Sequence, residues 1–397
     1  STEVSDSHRT ESRAASEHMA DERLCFVTDW LDPNAGVLWK YQLFYYPATR
    51  EVEMVDIKNR KHFLKKMRPS EDINPDLLFV GSSVTIYSRQ LKIIDYGDEY
   101  TRKRLAARSE RTLAMVKPDA FRHLGKILNA VYSSGFQVNQ LRVCKLSKEE
   151  AQEFYAVHRG KPFYDTLVQF MSSGRVCAME LVAEGAISKW RTLIGPTDSD
   201  RARAEAPSSI RAAFGTNNTF NACHGSDAPE TAAEEIAFFF GRPFPVGKCD
   251  VGRNTTLGIV KPHLLADAAG GLVVDCVQEH FDITAAQLFK LDKVSAAEFL
   301  EVYKGVLSPG EFNALVEELN SGPCLAFELA DRDGANPVES FRELCGPLDP
   351  ELGRVLRPKC LRAQFGLNKI RNGLHCTDLA EDGPLEVQYF FSILQGQ

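Results

Sequence analysis

NACHGSD (221–227) stands just ahead of the acid-rich amphipathic stretch ETAAEEIAFFF (230–240), and NGLHCTD (372–378) repeats its N-x-x-H-x-[ST]-D form. The two histidines lie 151 residues apart. The same offset carries Asn221 to Asn372, Arg211 to Arg362, Arg191 to Arg342, Gly195 to Gly346 and Glu235 to Glu386. Upstream the offset becomes 148, pairing Tyr155 with Tyr303, VCAMELV (176–182) with CLAFELA (324–330), and SKEE (147–150) with SAAE (295–298). At the start it becomes 144, pairing Lys117-Pro118 with Lys261-Pro262. Loop insertions between shared elements produce such small drifts, so the chain holds two homologous domains, at 110–246 and 254–395.

Each copy opens with a strand-length apolar run, TLAMVKPD or TTLGIVKPH, ended by a proline that disfavours helix. HLGKILNAVYSSGF then reads as an amphipathic helix, and Val138, Leu141 and Val143 mark a second strand. SKEE and SAAE fit capping boxes, and VCAMELV and CLAFELA read as a third strand followed by helix. This order predicts helices packed on a sheet. The block at 22–105 differs: VEMVDIK, LLFVGSSVTIY and LKIID run at strand length, with turn chemistry in DPNAG and YP, predicting a small β-rich domain. TRKRLAARSER (101–111) reads as a linker or short exposed helix.

A length of 397 residues suits two to four domains, and 44% hydrophobic with 25% charged residues is an ordinary globular composition. A net charge of -7 gives no global attraction to nucleic acid or anionic lipid. The ten cysteines include no C-x-x-C pair, so a reducing compartment, the cytoplasm, is expected rather than a zinc ribbon or disulfide framework. Residues 1–21 are polar and are expected to be a disordered tail. No run approaches the length of an apolar membrane span, and no membrane association is expected.

A histidine that attacks phosphorus needs a neutral imidazole, a partner that fixes its tautomer, and cations for the phosphates. The first copy offers all of these. His224 is the nucleophile candidate, and Glu235, one helix further on, could orient its ring. Lys117, Arg191 and Arg211 offer positive charge, and Tyr155 and Thr197 offer hydroxyls. A lone histidine is most often structural, and scattered lysines and arginines are mostly solvated. Recurrence of the set in a second, diverged copy tilts the reading towards chemistry.

Both copies resemble nucleoside diphosphate kinase domains, whose signature runs N-x-x-H-G-S-D around the histidine, with K-P-D at the first strand and R-P-F in a nucleotide-binding hairpin; the match is close in the first copy, which shows ERTLAMVKPD, GKPFYDTLVQFMSSG, GPTD and NACHGSD. The resemblance implies a ferredoxin-like α+β fold. It also implies ping-pong transfer of a γ-phosphate from a nucleoside triphosphate to a diphosphate through a phosphohistidine, with Mg2+ carried by the phosphates and not by protein side chains. It makes His224 the nucleophile supported by Glu235 and Ser226, with Lys117, Tyr155, Phe163, Arg191, Thr197, Arg211 and Asn221 as nucleotide contacts, Phe163 stacking the base and Leu167 packing nearby. Lys161 replaces the hairpin arginine, and the loop between Thr197 and Arg211 is longer than usual.

The second copy keeps Lys261, Tyr303, Arg342, Arg362, Asn372, His375 and Glu386. It departs at His263, Leu348, Cys376-Thr377 and SPGEF (308–312), which lacks the stacking phenylalanine, so weak or absent turnover and a structural role as half of a pseudo-dimer are expected.

Residues 27–66 resemble the small pleckstrin-like module of ciliary doublet-microtubule proteins, and the layout resembles the ciliary two-domain form of the family. That resemblance implies a cytoskeletal location in the cilium or flagellum axoneme, with tubulin and other doublet proteins as partners. Lys58, Arg60, Lys61, Lys65, Lys66 and Arg68 form a local basic run suited to an acidic partner, or else the solvated face of a hairpin. The alternative to an enzyme is a structural axonemal protein with little or no catalysis.

Overall fold

Strand β3 (Glu51–Asp56) alternates half-buried and buried positions along EVEMVD, the period of a strand with one face on a core. It belongs to the first of two compact units, 1–109 and 110–397. This computed structural model describes residues 23–32, 35–69, 73, 75, 78–87, 89–105, 109–241, 254–333 and 336–394, so the expectation for the tail at 1–21 lies outside the described residues. In the first unit β1 (Leu24–Asp32), β2 (Val37–Tyr46), β3, β4 (Lys61–Met67), β5 (Ser83–Ile86) and β6 (Arg89–Tyr96) form an antiparallel sheet in the order β4-β3-β2-β1-β6-β5. Phe26, Leu43, Tyr45, Met54, Leu91 and Ile93 fill its core.

Two expectations are corrected here. LLFVGSSVTIY is a strand only over Ser83–Ile86, because Gly81 sits at φ 100° and Ser82 Oγ bonds the Phe79 carbonyl, turning the chain before the strand begins. TRKRLAARSER divides between a helix, Glu99–Leu105, and the first residues of the next strand, and Thr101 is fully buried, accepting the Cys25 amide.

The second unit repeats one plan twice. β7 (Glu110–Val116), β8 (Gln137–Lys145), β9 (Arg175–Ala183) and β10 (Cys223–Gly225) form an antiparallel ferredoxin-like sheet in the order β10-β7-β9-β8. β11 (Thr255–Val260), β12 (Phe281–Phe289), β13 (Cys324–Asp331) and β14 (Leu374–Cys376) copy it. β9 is buried along nearly its whole length, as an apolar run covered on both faces should be. Its one buried charge, Glu180, takes bonds from Arg111, Asn139 and Gln140 at 3.0, 2.7 and 2.6 Å, which offset the cost of removing a carboxylate from water.

SKEE forms the expected capping box, Ser147 with Glu150, ahead of Lys148–Phe154. SAAE does not. Asp292 caps that helix, Lys293–Phe299, by accepting the Ser295 amide, so the helix starts earlier and Ser295 lies inside it.

β8 pairs with β12, joining both copies into one eight-stranded sheet. Helices Leu124–Ser133 and Gly270–His280 pack across the same junction. A Cβ on Gly125 would meet the Asp275 amide nitrogen at 2.2 Å, and one on Gly271 would meet that of Asn129 at 2.3 Å. The contact is thus reciprocal, glycine on each helix against backbone on the other, as in an isologous dimer. A single apolar core runs through the junction, from Ala114 and Trp190 to Phe327 and Phe341. No helix among the described residues is long and apolar enough to cross a membrane.

Candidate active site

His224 lies on β10, opposite Met115 of β7, so sheet hydrogen bonding and not a turn sets its backbone. Trp190 Nε1 donates to the His224 carbonyl at 3.0 Å, and a Cβ on Gly225 would collide with the Trp190 ring at 2.5 Å. Sequence reasoning missed Trp190. Its signal was Phe341, which stands at the same 151-residue offset where Gly225 becomes Cys376, so the two changes go together.

The imidazole is fixed from one side. His224 Nε2 lies 2.8 Å from Glu235 Oε1, and Ser226 Oγ donates to Glu235 Oε2 at 2.6 Å from behind, itself almost fully buried. Phe154 and Tyr155 meet the ring edge-on at 5.3 and 6.1 Å. Nδ1 has no hydrogen bond among the described residues, and the side chain keeps 22% of its exposure, so this nitrogen is the one left for a ligand.

A cleft of about 1390 Å3 brings together His224, Glu235 and all seven expected nucleotide contacts. Ser226 alone of the set is not part of its lining. At one end the cations differ in freedom. Lys117 Nζ donates to Asn221 Oδ1 at 2.7 Å, while Asn221 Nδ2 donates to the Thr197 carbonyl at 3.0 Å. Arg211 binds the carbonyls of Gly195 and Cys223 at 2.8 and 2.9 Å, leaving its buried Nε unpartnered. Arg191 makes no side-chain hydrogen bond or ion pair among the described residues, and the buried Tyr155 hydroxyl has none either. Burial, with Arg211 nearby, pushes Lys117 down to about 8, an unfavourable state that a bound anion would relieve. At the other end Phe163 is 43% exposed, with His158 edge-on at 5.6 Å and Lys161 Nζ 5.8 Å from its centroid.

Two neighbours of the histidine have other duties. Cys223 is buried and its thiol is pushed up to about 12 by that burial, so it is a packing residue rather than a nucleophile. Asp119, from K-P-D, accepts the amide of Ala222, which sits at φ 66° immediately before Cys223.

The second cleft, about 670 Å3, gathers Lys261, Tyr303, Arg342, Arg362, Asn372 and His375. His375 Nε2 lies 3.1 Å from Glu386 Oε2, which Thr377 Oγ1 approaches at 2.8 Å. The expectation that Cys376-Thr377 loses what Gly225-Ser226 supplies is therefore corrected in half: the threonine hydroxyl restores the serine's contact to the glutamate. Other groups are rewired. Lys261 donates to the Ile370 carbonyl at 2.8 Å and Asn372 Oδ1 is left buried without a partner, so the lysine–asparagine bond of the first cleft is absent. Tyr303 and Arg342 both bind Asp378, the tyrosine hydroxyl at 2.5 Å. His263, in place of Asp119, is buried against Glu318 at 2.6 Å.

Residues 110–243 and 254–395 match the nucleoside diphosphate kinase family, and the chain belongs to that family. Residues 18–107 match the nucleoside diphosphate kinase 7 N-terminal PH domain, the pleckstrin-type module expected for the first unit. The chain is 48% identical over 376 residues to nucleoside diphosphate kinase homolog 7 of Rattus norvegicus, covering 94% of each, and 46% identical over 376 residues to that of Mus musculus. A crystal structure of the Aquifex aeolicus nucleoside diphosphate kinase is 53% identical, covering 33% of this chain and 95% of that one, with a TM-score of 0.33.

Proposed function

We propose that the first cleft carries the γ-phosphate of a nucleoside triphosphate to a diphosphate through a phosphohistidine on His224. The observation that carries this reading is a histidine held through Nε2 by Glu235, with Nδ1 left without a hydrogen bond in a cleft that Arg191 and the unpartnered Tyr155 also line. The Nδ1 lone pair attacks the γ-phosphorus as the bond to the β–γ bridging oxygen breaks, releasing the diphosphate. The proton on Nε2 stays in place, and Glu235 faces the positive charge that the ring gains on forming the N–P bond. A terminal oxygen of an incoming diphosphate then attacks phosphorus and the N–P bond breaks. Lys117, Arg191 and Arg211 surround the charge that shifts on the transferring group, and Phe163 offers its face to the base, which stacking accepts without regard to identity.

Among the described residues no group of three acidic, histidine or cysteine side chains forms a metal site. Mg2+ fits this cleft as a counter-ion brought in on the phosphates, where it neutralises part of their charge. The second domain serves mainly as the structural partner of the first, since its Arg342 and Tyr303 are both taken up by Asp378.

The first unit, we infer, holds the chain on ciliary doublet microtubules. Similarity to the homolog 7 proteins and their PH domain supports this, as does the edge strand β4, where Lys61, Lys65 and Lys66 are exposed beside the half-exposed Phe63 and Met67. This observation also favours the second reading, a structural axonemal protein in which catalysis is residual. Incubation with γ-labelled ATP and Mg2+ separates the two. Acid-labile label that chases onto a diphosphate and is lost in His224→Ala but not in His375→Ala supports the enzyme; no label on wild type leaves the structural reading.

A further inference from the structure

In the first cleft Arg191 and the Tyr155 hydroxyl make no side-chain hydrogen bond among the described residues, and Asp227 is held by another residue. Thr231 Oγ1 lies 2.7 Å from Asp227 Oδ1, in the first turn of the helix Pro229–Phe240. At the 151-residue offset Asp227 becomes Asp378 and Thr231 becomes Asp382. An ionised carboxylate has no proton to donate, so Asp382 cannot hold Asp378 and instead repels it. Asp382 makes no side-chain hydrogen bond among the described residues, and its own carboxyl is raised by partial burial and by the nearby Glu386, Glu381 and Asp378. Asp378 has turned to the two groups whose counterparts are free in the first cleft, accepting from Tyr303 at 2.5 Å and pairing with the Arg342 guanidinium.

We propose that Asp378 is a built-in occupant of the second cleft's anion site, released onto Tyr303 and Arg342 by the exchange of threonine for aspartate at 382, and that it excludes the phosphates of a nucleoside diphosphate. The clamp has the chemistry of the ligand it displaces: one carboxylate presents two oxygens to a cation and a hydroxyl, as a phosphate would. Its bonds are formed within the chain, so a ligand must break two of them before making its own. The machinery behind the clamp is still assembled, with His375 against Glu386 and Thr377. The second domain is therefore capped rather than dismantled at its phosphate end.

This inference rests on the first cleft being a nucleotide site, and calorimetric titration of the full chain tests both. Wild type, Asp378→Ala and Asp382→Thr are titrated with ADP and Mg2+, and in parallel with inorganic pyrophosphate, which needs no base platform. Wild type should bind one ADP. Asp378→Ala removes the occupant, and Asp382→Thr restores the restraint seen in the first domain; each should expose a second site binding pyrophosphate at least roughly tenfold more tightly than wild type, the loss expected from breaking a charged hydrogen bond first. Asp378 is 47% exposed, and Asp382 is half-buried with no side-chain hydrogen bond among the described residues, so neither variant removes a core contact. If wild type binds one ADP and both variants stay at one site with unchanged pyrophosphate affinity, the clamp proposal is wrong while the first-site reading stands. If wild type binds no ADP, the nucleotide reading fails and takes the clamp with it.

Discussion

Replacing Glu235 with glutamine tests the geometry at the nucleophile most directly. The carboxylate has one oxygen 2.8 Å from His224 Nε2 and the other 2.6 Å from Ser226 Oγ. Glutamine keeps the shape but has one acceptor, so it cannot receive both donors, and it carries no charge to face the ring that, in the proposed transfer, becomes cationic as phosphorus bonds to Nδ1. A hydrogen bond to a charged partner contributes about 1.5–3 kcal/mol. Because the ring charge develops only as transfer proceeds, the loss falls on the transition state and lowers kcat/KM by roughly 10- to 150-fold at 1.36 kcal/mol per decade. Rapid-quench formation of phosphohistidine measures this, with ADP affinity determined beside it. Affinity should hold, since Glu235 sits behind the imidazole and not against the phosphates. A variant that phosphorylates at the wild-type rate, or that loses affinity instead of rate, would refute the assigned role.

Ala222 sits at φ 66° where the second domain has Gly373 at φ 91°, so Ala222→Gly should stabilise the chain by about 1 kcal/mol, read as a higher Tm. Gly125→Ala drives a methyl into the Asp275 backbone and should cost roughly 1–3 kcal/mol in urea unfolding of the second unit, while the fold of the first is untouched. Phe163→Ala should weaken nucleotide binding by about 1–3 kcal/mol without lowering Tm, because the ring is 43% exposed. Lys117 is held at about 8, below a lysine's ordinary 10.5, so in that interval the unfolded chain binds more protons and this group's contribution to stability rises with pH. An anion that restores its charge should therefore drive net proton uptake near pH 9, measurable by calorimetry in buffers of different ionisation enthalpy.

The first cleft was legible because its chemistry sits in short, fixed spacings: His224 falls on one strand, Ser226 just past its end and Glu235 on the helix that follows, and the repeat singled them out from other polar residues. The junction between the copies was not. β8 and β12 carry the ordinary pattern of half-buried strands, and nothing local marks the partner each will pair with; the glycines at 125 and 271 look like helix-weakening residues until the opposing backbone is seen. Asp378 was equally hidden, since it is identical to Asp227 and its behaviour depends on a residue four positions away. Conversely, Thr377 looked like a loss because side-chain identity changed, whereas the contact depends only on a hydroxyl.

The continuous sheet β10-β7-β9-β8-β12-β13-β11-β14 also alters what mutation can do. In a pair of identical subunits every substitution arrives twice, so a change that suits one side of the axis is imposed on the other. With both halves encoded in tandem, Asp382, Leu348 and His263 could accumulate on one side while Thr231, Thr197 and Asp119 persisted on the other. Dilution cannot separate the halves, so the first half never lacks its packing partner, and the second half can change its chemistry without costing the chain its fold.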